Sequence, residues 1–171
     1  YTLWHTLSLH DALPISTSEN DSTLRKSDFS DRTAMIGIVI VTHGNLGEAL
    51  IETAEMILSR PPEGMTAVSV NLNEDVDRLR GKIARGLKAV NRKKGILILT
   101  DMFGGTPSNL SYSFLEEGRV EVISGVNLPI LIKAVNSRDK MSLSELAECL
   151  EAFGKRSISL ASGILKGNKR G

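Results

Sequence analysis

The chain has 171 residues, 41% of them hydrophobic and 24% charged, which is enough to bury one core and too little for two of ordinary size. Only 4% are aromatic, so aliphatic side chains must fill that core. The formal charge of +1 gives no net electrostatic reason for nucleic acid or an anionic membrane to be the main partner, and the single cysteine excludes an internal disulfide framework or a clustered thiolate metal site.

Residues 1–34 lack sustained periodicity and are rich in Ser, Thr, Asp, Glu, Arg and Lys from Ser16 onward, so they are expected to form a disordered tail. The stretch Leu9-His10-Asp11-Ala12-Leu13-Pro14-Ile15 reads like one frame of a DNA-sequencing adapter, and is set aside with the tail as an assembly artefact. Met35 is the expected natural start. A secretory signal is disfavoured because there is no basic leading region and His10 and Asp11 interrupt the apolar stretch.

From Met35 short aliphatic runs alternate with helix-period segments, a pattern that calls for crossover connections and a mostly parallel sheet with helices on both faces. Ile36 to Val41 is nearly all apolar, as a strand buried on both faces should be. A helix follows, with Leu46, Leu50, Ile57 and Leu58 on one face, a capping-box-like start at Asn45 and Glu48, and a stop at Pro61 and Pro62.

Thr66 to Leu72 reads as a second strand, and Asn73 as the cap of a helix with the stripe Val76, Leu79, Ile83, Leu87 and Val90. Ile96 to Thr100 is the third strand. Pro107 to Glu117 is predicted helical with Thr106 as N-cap, and Val120 to Ser124 is the fourth strand. Helices from Pro129 to about Ser137 and from Ser142 to Phe153 follow, the second opened by the box Ser142…Glu145. Arg156 to Ala161 is expected to be a short final strand. One α/β domain is thus expected over 35–165, with a short basic tail at 166–171. No apolar run reaches the length of roughly 20 residues that a membrane-spanning helix needs.

Ligands in open parallel sheets bind at the carboxyl ends of strands, near the point where strand order reverses. The first strand runs into Thr42-His43-Gly44-Asn45 and the third into Asp101-Met102-Phe103-Gly104-Gly105-Thr106-Pro107. If those strands are neighbours, His43 and Asp101 face each other. Imidazole is a good nucleophile that is substantially neutral near pH 7, and a carboxylate on one ring nitrogen would fix the tautomer and leave the other nitrogen free to attack. The plain alternative is a histidine that merely ends a strand, its ring satisfied by backbone.

Gly44 and the pair Gly104-Gly105 each precede a helix, so an anion could approach free N–H groups there; a tight turn is the competing reading. Neither loop has the Walker spacing with its lysine or the three glycines of a dinucleotide fingerprint. Met102 and Phe103 are apolar residues in a loop, either a partner-docking patch or buried under the next helix. Cys149 shares a helix face with Leu146 and Phe153, which suggests a packed core thiol.

Three motifs in this order, Ile40-Val41-Thr42-His43-Gly44, Thr100-Asp101-Met102-Phe103-Gly104-Gly105-Thr106-Pro107-Ser108-Asn109 and Gly125-Val126-Asn127-Leu128-Pro129, resemble those of the enzyme IIA component of the mannose family of the bacterial phosphoenolpyruvate-dependent sugar phosphotransferase system. The resemblance covers Met35 to about Ala161. It implies a cytoplasmic phosphocarrier in which His43 takes a phosphoryl group from the phosphohistidine of the carrier protein HPr and passes it to an enzyme IIB. It further implies that Asp101 hydrogen-bonds His43, that the loop from Gly104 to Thr106 lies beside the phosphate, and that no metal or other cofactor is used. Contact with the membrane would be indirect, through the IIC/IID transporter. The family fold forms a homodimer that exchanges a C-terminal strand, which would be Arg156 to Ala161 here.

The larger family members carry an attached IIB domain and this chain does not, so the expected acceptor is a separate protein. A stand-alone IIA protein can also serve a regulatory target by reporting carrier phosphorylation without sugar transport. Two other classes compete: a histidine phosphatase, which needs an arginine where Thr42 stands and a second histidine for acid catalysis, and a binding module in which His43 and Asp101 are only a structural pair.

Overall fold

The protein is described by a computed structural model covering residues 34–165 apart from 62, 72, 91 and 92. The expectations for the N-terminal tail up to residue 33 and for the basic tail at 166–171 lie outside the described residues. Ten elements follow one another: β1 (Met35–His43), α1 (Leu46–Leu58), β2 (Met65–Val70), α2 (Val76–Val90), β3 (Lys93–Thr100), α3 (Thr106–Tyr112), β4 (Val120–Ser124), α4 (Leu128–Ser137), α5 (Leu143–Arg156) and α6 (Ala161–Leu165).

The four strands form one sheet in the order β2-β1-β3-β4, and every pairing is parallel. This is the α/β architecture read from the sequence. Alternation along β1 explains its almost unbroken apolar run. Ile36, Ile38 and Ile40 face one side with Leu97 and Leu99, where α1, α4 and α5 supply Ala54, Leu131, Ala134, Leu146 and Leu150. Val39 and Val41 face the other side with Ile98 and Val70, where α2 and α3 supply Leu79, Ile83, Val90 and Leu110. Both faces of a parallel sheet are covered by crossover helices, so the middles of its central strands are aliphatic and their buried polar residues, Thr42 and Thr100, stand only at the carboxyl ends, where their hydroxyls are hydrogen-bonded.

The order reverses between β1 and β3: from β1 the chain moves outward to β2, then returns past β1 to β3 and β4. The topological switch point therefore lies between the two loops singled out in the sequence. Val41 pairs with Thr100 in the register, so His43 and Asp101 emerge side by side from the same edge of the sheet.

Several local expectations are corrected. In α1 the core-facing residues are Gly47, Leu50, Ile51 and Ala54, whereas Leu46 and Ile57 are exposed. The helix turns its small residues inward because Gly47 sits tightly against Ala67 of β2, where a Cβ would lie 3.1 Å from the Ala67 methyl. The Asn45 side chain caps nothing. The Thr42 hydroxyl instead accepts the Gly47 N–H at 2.9 Å, and Glu48 receives the hydroxyl of Ser69 at 2.8 Å. The helix stops at Leu58 because Ser59 adopts a left-handed φ of 53° ahead of the prolines.

Asp75, not Asn73, caps α2: one of its carboxylate oxygens accepts the N–H groups of Asp77 and Arg78 at 3.0 and 3.3 Å. Leu79, Ile83 and Val90 of the predicted stripe are buried, while Val76 is exposed at the first turn. Helix α3 is five residues shorter at its C-terminal end than predicted, and its N-cap is Gly105 rather than Thr106. The N–H groups of Ser113, Phe114 and Leu115 bond carbonyls three residues back, tightening the chain out of α-helix before the turn at Gly118.

The predicted final strand is not present in the single chain. Helix α5 runs on to Arg156, Ser157 closes it by donating to the Gly154 carbonyl, and α6 begins at Ala161. An isolated strand has no partner for its backbone groups, so the intervening Ile158 and Leu160 stay exposed and unpaired with the sheet. The capping box Ser142…Glu145 at the start of α5 is present as read.

Candidate functional site

His43 is the last residue of β1 and Asp101 the first after β3, so two rigid strands deliver the pair. The Asp101 Oδ2 atom accepts the backbone N–H of His43 at 2.8 Å and lies 2.8 Å from the ring Nδ1. Its other oxygen, Oδ1, accepts the Met102 N–H at 2.9 Å. Burial pushes the Asp101 carboxyl up, but the backbone N–H of His43, the His43 ring and the Met102 N–H outweigh it and hold the group below its ordinary value. The carboxylate is therefore ionised and has no proton to give, so Nδ1 is the donor, and a ring carrying one proton keeps it there and leaves the Nε2 lone pair free. The His43 side chain is 35% exposed against 12% for Asp101, so the nucleophilic edge faces outward and its orienting partner sits beneath.

The glycines define the space beside the ring. Gly104 takes a φ of 79°, which residues with a Cβ avoid. At Gly105 an added Cβ would stand 3.1 Å from Cε1 of His43, so the missing side chain lets the loop close against the imidazole. Asn109 Nδ2 donates to the Gly104 carbonyl at 3.3 Å and the Ser108 hydroxyl to the Gly105 carbonyl at 2.9 Å, which pins the loop from below. With those carbonyls turned inward, the N–H groups of Gly104, Gly105 and Thr106 donate to nothing among the described residues. Gly44, beside His43, is fixed by its N–H bond to the Val70 carbonyl at 3.3 Å.

Met102 and Phe103 are 56% and 79% exposed, which decides against burial under α3. The Phe103 ring leans on Tyr112 at a centroid distance of 6.3 Å and a tilt of 51°. Tyr112 in turn meets the Ser124 hydroxyl at 3.2 Å, and Thr100 donates to that hydroxyl at 2.9 Å. This hydroxyl chain links the end of β3 to β4 and braces the loop. Sequence reasoning missed Ser124, Tyr112 and the Thr42 hydroxyl; only the β3–β4 register, which pairs Thr100 with Ser124, brings the first of these to the site. Asn109 stood inside a quoted motif, so a signal for it existed. Cys149 is half-buried and its thiol is free, a looser setting than the core thiol expected.

The family model described as "PTS system fructose IIA component" matches residues 37–151. The chain is 34% identical over 133 residues to the PTS system fructose-specific EIIA component of Bacillus subtilis, covering 77% of this chain and 90% of that one. It is also 34% identical over 125 residues to the PTS system mannose-specific EIIAB component of Escherichia coli, covering 72% of this chain but 38% of that longer protein. Among solved structures, the crystal structure of the phosphotransferase system component EIIA from Streptococcus agalactiae superposes with a TM-score of 0.67 at 29% identity, over 75% of this chain and 98% of that one. No helix among the described residues is long and apolar enough to cross a membrane.

Proposed function

The chain belongs to the mannose-type enzyme IIA family of the sugar phosphotransferase system, and from that membership we propose that it is a phosphocarrier whose His43 is phosphorylated at Nε2. The observation that carries the reading is the 2.8 Å contact of Asp101 Oδ2 with Nδ1, which aims the free nitrogen at solvent.

The incoming group arrives on a phosphohistidine of the small carrier HPr. The Nε2 lone pair forms a bond to phosphorus on one side while the donor N–P bond breaks on the other, its electron pair returning to the donor imidazole. His43 thereby becomes a phosphorylated imidazolium with its proton still on Nδ1, and the Asp101 carboxylate stabilises that cation. A loose transition state asks for position and dipoles rather than covalent help, and the unused N–H groups of Gly104, Gly105 and Thr106 are available to the phosphoryl oxygens beside the ring. Exchange of one N–P bond for another is close to balanced, so the same geometry hands the group on to an enzyme IIB for sugar uptake. Met102 and Phe103 form the apolar rim on which those partners dock, and the transporter's membrane components are reached only through IIB. We place this chemistry in the cytoplasm and require no cofactor.

The proposal includes a homodimer. Among the described residues no strand neighbours the outer edge of β4, where Glu116 bridges Val120, and a groove of about 450 Å³ beside it is lined by Phe103, Tyr112, Val122 and Ala147. Ile158 and Leu160 leave α5 exposed, and in a dimer they can supply the missing strand to a second copy.

Intact-mass spectrometry after incubation with phosphoenolpyruvate, enzyme I and HPr tests the carrier role. One acid-labile phosphoryl group is expected on the wild type and none on His43→Ala. Absence of the group on the wild type, with HPr shown to be phosphorylated, sinks it.

A further inference from the structure

The near-neutral net charge conceals a segregated one. Residues 78–94 hold eight of the chain's 21 cations and none of its 20 acidic residues, so the rest of the chain carries 13 cations against 20 acids. Five of the eight lie on α2. Its buried side is Leu79, Ile83, Gly86 and Val90, and the surface turned outward presents Arg78, Arg80, Arg85 and Lys88, all exposed. Arg80, Arg85 and Lys88 pair with no acidic group among the described residues. Lys82 is held by Glu74 at 2.6 Å, and Arg78 reaches the same carboxylate at 3.6 Å. Asp77 is the one acidic residue on the helix. The charge continues in the sequence through Arg92 into Lys93 and Lys94 at the start of β3.

We infer that the exposed face of α2 docks the protein on an anionic phospholipid surface. Cations unpaired among the described residues, spread from Arg80 to Lys88 along the helix, with no aromatic residue among residues 78–94, match a continuous plane of negative charge. A single-stranded nucleic acid would call for stacking platforms that this face lacks. Helix α2 lies along the flank of the sheet, whereas His43 stands at the sheet's end, so a membrane against α2 leaves the ring open to partners. The choice of membrane over other polyanions rests on the carrier reading above, in which the phosphoryl group must finally reach a transporter; the charge face itself does not.

Co-sedimentation of the full-length, unphosphorylated protein with vesicles tests this, comparing pure phosphatidylcholine with phosphatidylcholine containing phosphatidylglycerol, at low and physiological salt. The wild type is expected to partition onto the anionic vesicles only, with binding weakened by salt. The triple variant Arg80→Gln, Arg85→Gln, Lys88→Gln should lose about a hundredfold in partitioning, given roughly a fivefold effect per surface cation. Its phosphorylation by HPr should match the wild type, which shows that the variant is folded. No binding to anionic vesicles at low salt, or equal binding by the triple variant, overturns the inference. Tighter binding to a DNA or RNA duplex than to vesicles at matched salt also overturns it and gives the face to nucleic acid. Failure of His43 to become phosphorylated is a separate result that touches only the carrier reading.

Discussion

Asp101 Oδ2 holds His43 twice, once by its backbone N–H and once by its ring, each at 2.8 Å. One oxygen thus fixes both where the residue sits and which way its imidazole turns. Because β1 and β3 are adjacent and register-locked, neither partner can shift without disturbing the buried centre of the sheet.

Replacing Asp101 with Asn removes the charge while keeping the shape. A neutral amide does not stabilise the imidazolium that forms on phosphorylation, and its NH₂ end can face Nδ1 and select the wrong tautomer. Phosphoryl acceptance should slow by roughly a hundredfold, the order seen when orienting partners are removed. Rapid-quench transfer from phosphorylated HPr measures it; an unchanged rate removes Asp101 from the mechanism.

The same carboxylate sets a pH dependence of stability. Its folded pKa lies below the ordinary value of 3.8, so the folded state binds this proton less readily than the unfolded chain does. The stabilisation is therefore complete above about pH 4 and is lost as pH falls through the folded value. Denaturation midpoints of wild type and Asp101→Asn should differ at pH 7 and converge below pH 4. A gap that stays constant down to pH 3 contradicts the assignment.

At Gly105 the added methyl of Gly105→Ala would press on Cε1 of His43 at 3.1 Å. The backbone there is extended, with φ −78° and ψ 167°, so alanine brings no conformational strain and the fold should hold to within about 1 kcal/mol. Transfer should fall by about tenfold because the ring is displaced from its working position. Equal transfer rates in the two proteins would show that the loop does not confine the ring.

Ile158 and Leu160 are 76% and 64% exposed in the single chain, and in the proposed exchange they would be covered by the second copy. Ile158→Asp should shift the species seen by sedimentation equilibrium from dimer to monomer without lowering the unfolding midpoint of the monomer. A wild type that is monomeric at all accessible concentrations removes the exchange.

The alternation of aliphatic runs and helical stripes was legible without coordinates because buried parallel strands and amphipathic helices imprint their periods directly on the sequence; β4 fell on its predicted residues Val120–Ser124. His43 and Asp101 were legible too, since the carboxyl ends of strands are where side chains leave the sheet. Local capping was read less well. Asn45, Asn73 and Thr106 are all good caps in isolation, but tertiary neighbours such as Thr42 and the turn around Asp75 took those roles instead.

Only the tertiary structure decided that β1 and β3 are neighbours, and with that the 2.8 Å bond between residues 58 positions apart in the chain. Strand order is fixed by which faces the helices cover, a global sum of buried area that no local window contains. The same holds for the absent strand at Arg156 to Ala161. Its alternating residues fit an extended chain, yet a strand exists only where an edge is there to pair with it, and within one chain these residues follow α5 without joining the sheet.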